Sequence, residues 1–124
     1  MDKREKQKEL AKEREFACKW QKKFVEKGKQ ATTLAKAALQ DAESTRWQDA
    51  TKSTKDYMDT LDIRIQTTMD LGYSPKYPKD APAEELDGMW GKWMAASTIL
   101  DENIEDMKRA MAQFRDIVKK VSST

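Results

Sequence analysis

Four acids stand close together late in the chain: Asp101, Glu102, Glu105 and Asp106. Paired carboxylates can exchange protons or hold a divalent cation. Their spacing matches neither an EF-hand loop nor another metal-ligand signature. All four also fall off the apolar stripe described below, so a solvated face is expected. The single cysteine, Cys18, has Lys19 and Lys22 near it. A thiol among lysines is a candidate nucleophile. With no second cysteine and no histidine to act as base, Cys18 is expected to be a half-buried small hydrophobe.

Histidine is absent from the chain. That excludes Ser-His-Asp and Cys-His pairs, histidine zinc sites and an imidazole base near neutral pH. The glycines form neither a GxGxxG string nor a P-loop. No catalytic residue, metal ligand or cofactor site is assigned, and the chain is expected not to be an enzyme.

Two segments carry binding potential instead. In the first, Phe16, Trp20 and Phe24 are interleaved with Lys19, Lys22, Lys23, Lys27 and Lys29. Lysines can neutralise phosphates while aromatics stack on bases, and a basic amphipathic helix can also lie on a membrane surface. No nucleic-acid-binding motif supports the former, and Glu26 dilutes the charge. The favoured expectation is that the aromatics face the bundle or a protein partner while the lysines are solvated.

The second segment is Gly88-Met89-Trp90-Gly91-Lys92-Trp93-Met94. Its glycines are expected to let a backbone or a neighbouring helix approach the tryptophans closely. Met89, Trp90, Trp93 and Met94 together make a stripe wider than one helix contact needs. Such a surplus calls for a further covering surface: the first helix, a second copy or another protein.

The elements that hold these residues are legible from periodicity. Leu86, Trp90, Trp93, Ser97, Leu100, Ile104, Met107, Met111, Phe114, Val118 and Val121 alternate steps of four and three. A helix places them on one stripe for about five heptads, which is a coiled-coil-like seam. Pro82 with Glu84 and Glu85 suits the start of this helix, expected over 84–121. Residues 30–70 contain no Gly or Pro and form a second helix, with Thr45-Arg46-Trp47-Gln48 read as interior in preference to a capping box. The loop 71–83 has about twelve residues, contains Gly72, Pro75, Pro78 and Pro82, and acts as a stiff connector. It returns the chain, so the helices on either side should be antiparallel, with Ile65 near Trp93 and Ala38 near Val118. Residues 1–29 make a basic first helix, expected to end at Gly28 as a helix-terminating glycine, although an unbroken phase through Gly28 also fits.

The expected fold is all-α: an elongated helical hairpin over 30–124, or a three-helix bundle if residues 1–29 pack rather than project. Residues 1–29 hold eleven Lys and Arg against six Asp and Glu. The chain as a whole has a charge of only +2, with 37% charged and 38% hydrophobic residues. That balance suits slender helices better than a thick core. No secretory signal or membrane span is read, and a soluble protein of a reducing intracellular compartment is favoured. The expected function is a non-enzymatic helical interaction protein. It would be a small structural or accessory subunit, adaptor or regulator docking on a larger protein assembly, or self-associating through its helix faces. Phe16, Trp20, Phe24, Met89, Trp90, Trp93 and Met94 are its candidate contacts. The alternative is a nucleic-acid-associated protein that uses residues 16–29.

Overall fold

A computed structural model describes residues 2–72 and 76–123. Three α-helices carry the chain: α1 over Lys3–Ser44, α2 over Gln48–Leu71 and α3 over Ala83–Ser122. A short 3₁₀ turn, Pro78–Asp80, precedes α3. Each helix packs against the other two. The protein is thus an all-α bundle with a loop before its last helix, and among the described residues no helix is long and apolar enough to cross a membrane. Pro75 of the connector lies outside the described residues.

Helix α1 runs unbroken through Gly28, which corrects the expected end of the first helix. Gly28 is one of a line of small buried positions on α1, with Ala17, Ala31, Ala35, Ala38 and Ala42. Small side chains let a neighbouring helix come close, and the Met69 side chain of α2 fills the space over Gly28. The glycine therefore sits inside a helix beneath the end of a flexible side chain, at an entropic cost of about 1 kcal/mol relative to alanine.

The break falls instead at 45–47, where an uninterrupted helix was expected. Thr45 leaves α1 in an extended conformation and Trp47 precedes α2. One side chain closes the end of α1: the Gln48 amide Nε2 donates to the carbonyls of Ala42, Glu43 and Thr45, at 3.3, 3.1 and 2.6 Å. These are C-terminal carbonyls that a helix cannot satisfy internally. The backbone N–H of Trp47 donates to Thr45 Oγ1 at 3.3 Å, and Arg46 stacks its guanidinium over the Trp47 ring at 4.6 Å. No described residue has positive φ, so the turn needs neither glycine nor proline.

All eleven seam positions of α3 are buried or half-buried. A second line, Ala96, Asn103 and Ala110, is buried as well, because α3 packs against two helices and needs a wider apolar face than a two-helix seam. The core joins Met58, Leu61 and Ile65 of α2 to Leu100, Ile104, Met107 and Phe114 of α3 and the alanines of α1. Fully burying one such side chain stabilises by about 1.5–3 kcal/mol.

Direction follows from specific contacts. Glu13 meets Asp87, Phe16 meets Trp90 and Lys27 meets Asp101. The same 74 positions separate each pair, so α1 and α3 lie parallel and in constant register. Between them α2 runs antiparallel to both, and its last turn meets α3 early: Trp93 Nε1 donates to the Gly72 carbonyl at 2.7 Å. The expected antiparallel direction of α2 and α3 holds, but the expected register does not. Trp93 reaches Gly72, a heptad beyond Ile65, because the break at 45–47 rather than at Gly28 sets where α2 starts and how far it descends.

Unequal lengths complete the plan. At 1.5 Å per residue α1 spans about 63 Å and α3 about 60 Å, but α2 only about 36 Å. The upper half of the bundle therefore has three helices and the lower half two. There the connector covers one side: Arg14 Nη1 donates to the Pro78 carbonyl at 2.7 Å, and Pro78 and Ala81 are buried. The other side is open.

Candidate protein-interaction groove

The open side lies between the first half of α1 and the first half of α3. Its floor is Phe16 and Trp20 from α1 with Trp90 and Met94 from α3. On α1 these are positions i and i+4, and likewise on α3, so each helix presents one face to the same trough. The Phe16 and Trp90 rings are tilted by 38° with centroids 6.2 Å apart, inside the range of favourable aromatic pairs. Phe16 is 52% exposed and Met94 39%, while Trp20 and Trp90 are half-buried against the core. The groove encloses about 700 Å³.

Charge rims it unevenly. Glu9, Glu13 and Asp87 stand at one end with Lys12. A side-chain hydrogen bond with Asp87, partial desolvation and the negative charges of Asp87 and Glu9 raise the Glu13 carboxyl above its usual range. When protonated, Glu13 can donate to Asp87; when ionised, the two repel. Among the described residues no lysine or arginine forms an ion pair with Glu9, Glu13 or Asp87. At the other end Lys23 Nζ sits 4.7 Å from the centre of the Trp20 ring, a cation–π contact of about 0.5–1 kcal/mol.

Not every expected contact residue reaches this surface. Phe16, Trp20, Trp90 and Met94 come together, with Met89 half-buried beside the core. Phe24 and Trp93 are 8% and 3% exposed and belong to the core; they close the C-terminal end of α2 rather than offering surface. Gly88 and Gly91 also depart from expectation, since nothing beyond their chain neighbours and the backbone of their own helix lies within 4 Å of where their Cβ would stand. They admit no neighbouring helix, because α2 has already ended.

The basic segment divides as well. Lys27 is paired with Asp101 at 2.7 Å and Lys23 covers Trp20, whereas Lys19, Lys22 and Lys29 are exposed. Cys18 is exposed rather than half-buried, because it follows Ala17, and one helical step turns it about 100° away from the core. Of the four clustered acids, Asp101 pairs with Lys27, Glu105 with Lys108 and Asp106 with Arg109. Among the described residues no three His, Cys, Asp or Glu side chains converge as metal ligands.

The rim residues Glu9, Lys12, Glu13 and Asp87 were not singled out from the sequence. Glu9, Glu13, Phe16, Trp20 and Lys23 share a four-three spacing, a signal of a second face on α1. Asp87 joins it only through the parallel register of α1 and α3. The chain matches no known protein family, no curated protein and no solved structure.

Proposed function

We propose that this chain is a non-enzymatic helical interaction protein: a small structural or accessory subunit, adaptor or regulator that docks on a larger protein assembly. Its contact surface is the groove of Phe16, Trp20, Trp90 and Met94. The observation that carries this reading is the missing third helix. Two parallel helices continue below the end of α2 with their aromatic floor uncovered on one side, and apolar surface of that kind is stabilised when another helix covers it. Aromatics and methionine also dominate the centres of protein interfaces.

The test is co-purification of the natively expressed chain, comparing wild type with Phe16→Ala/Met94→Ala. A third variant, Ile63→Ala, changes an exposed side chain of α2 and serves as control. Loss of co-purifying proteins in the groove variant alone supports the reading; an unchanged set in all three rejects it. The nucleic-acid alternative is favoured by one observation, the exposure of Lys19, Lys22 and Lys29 along one stretch of α1. It predicts binding that falls steeply with salt, whereas an aromatic-centred protein contact is far less sensitive.

A further inference from the structure

We infer that the groove seats a second copy of this chain, with the two α1 helices antiparallel across a two-fold axis near Phe16. This rests on reading the groove as an interaction surface and names what covers it. The order of residues along the open face of α1 is its basis. Glu9 and Glu13 come before Phe16; Lys19 and Lys23 come after it. Their face is shared, because 9, 13, 16, 20 and 23 alternate steps of four and three, with 12 and 19 on its flanks.

Antiparallel alignment about Phe16 sets Glu13 against Lys19 of the second copy and Glu9 against Lys23. It also brings Lys12 to the Trp20 ring. Each of these contacts occurs twice, as a two-fold interface requires. A parallel alignment would instead set acid against acid and base against base. Lys12 stands near the acids at this rim, but among the described residues no lysine or arginine forms an ion pair with them, and Lys19 is exposed. The second copy therefore supplies what each rim lacks, and the lower half gains two more helices to become a four-helix bundle.

The size of the face sets the strength. Helix α3 begins at Ala83, level with Glu9 of α1, so the two-helix face covers 9–23, about 22 Å long, and two helices side by side are about 20 Å wide. A face on the order of 450 Å² per copy falls well short of the about 800 Å² typical of stable complexes. The dimer is therefore weak and concentration-dependent, with rim charges giving direction and Phe16, Trp20, Trp90 and Met94 giving contact.

Sedimentation of the full chain from low micromolar to near-millimolar concentration tests this. Wild type should shift from monomer to dimer. Glu9→Lys/Glu13→Lys leaves Asp87 as the one acid lining the groove, and Lys19→Glu/Lys23→Glu leaves Lys12 as its one base. Each should self-associate at least about tenfold more weakly, and an equimolar mixture of the two should recover the dimer. Circular dichroism guards against lost folding. Wild type that stays monomeric throughout overturns the second copy but leaves the docking role standing, since that role is read separately from native co-purification. A dimer that survives both charge reversals also overturns it, as does one that Ile63→Glu or Leu71→Glu disrupts instead, which places the interface on α2.

Discussion

The indole of Trp93 donates its N–H to the Gly72 carbonyl at 2.7 Å, across 21 residues of chain. This bond fastens the end of α2 to α3 at the level where the three-helix cross-section becomes two. Both residues are buried, so the bond is shielded from water. Trp93→Phe keeps an aromatic ring but leaves a buried carbonyl without this donor, a loss of about 1–3 kcal/mol. Trp90→Phe, half-buried on the open groove, should cost less. Urea unfolding of both variants checks the assignment, and equal losses would contradict it.

Gly72 and Gly28 should respond in opposite directions to alanine. At Gly72 the φ is −82°, which any residue adopts, so conformational freedom is not the reason for glycine. Space is: a Cβ there would stand 2.5 Å from Phe24 Cζ and 2.6 Å from Cε2. A buried ring cannot swing aside, and Gly72→Ala should destabilise by about 1–3 kcal/mol. Combining it with Phe24→Ala should be strongly non-additive. At Gly28 the nearest atom is Met69 Cε at 3.2 Å, the far end of a flexible chain. There the helix-propensity gain wins, and Gly28→Ala should stabilise by up to about 1 kcal/mol. Thermal unfolding of the single and double variants decides both.

The seam of α3 and the loop before it were readable because their causes are local. Periodic apolar residues made α3, and Pro82 with Glu84 and Glu85 marked its start to within one residue. The two helix boundaries upstream were not readable, for one shared reason. Gly28 resembles a terminator and the 45–47 turn contains neither glycine nor proline, so local propensity points the wrong way at both. What decides them is tertiary: Met69 filling the gap over Gly28, and Gln48 satisfying three carbonyls at once. The groove was half legible. Its aromatics stood out by type, but the parallel alignment of α1 with α3 that joins them to Glu13 and Asp87 follows only from the correct breaks.

Within the seam, size and polarity predict opposite effects one turn or two apart. Ile104 is 3% exposed, and Ile104→Ala should cost about 2–5 kcal/mol. Lys108→Ala, on the exposed face, should change little. Ser97 is also buried, yet its Oγ has no hydrogen-bond partner among the described residues. Ser97→Ala removes that hydroxyl and adds helix propensity, so it should stabilise by about 1 kcal/mol. A destabilised Ser97→Ala, measured by the same melts, would mean that the hydroxyl is satisfied.

Gly88 and Gly91 separate folding from association. Each lies within α3 with open space around its would-be Cβ. Gly88→Ala and Gly91→Ala should each stabilise the isolated chain by about 0.5–1 kcal/mol. If a partner's backbone approaches this face, the same substitutions should weaken co-purification while raising the melting temperature. Destabilisation of the isolated chain would restore the packing role expected from the sequence.

Glu13 gives the protein a pH dependence whose sign is fixed by its neighbours. Asp87 and Glu9 raise its carboxyl above the usual range in the folded chain. The folded state therefore binds this proton more tightly than the unfolded state does. Stability conferred through Glu13 is greatest below the usual carboxylate range, and it falls as pH rises through the raised value. Glu13→Gln keeps a hydrogen-bond donor toward Asp87 and removes the titration. Its melting temperature should match wild type near pH 4 and exceed it near pH 7, with the gap opening between about these values. Other acids move both curves alike, so the difference isolates Glu13. A gap that is constant, or that closes as pH rises, would show that Asp87 does not oppose the ionised form. Glu13 is exposed enough that the gap should also shrink in high salt. It should shrink at high protein concentration too, where Lys19 of a second copy would neutralise the pair.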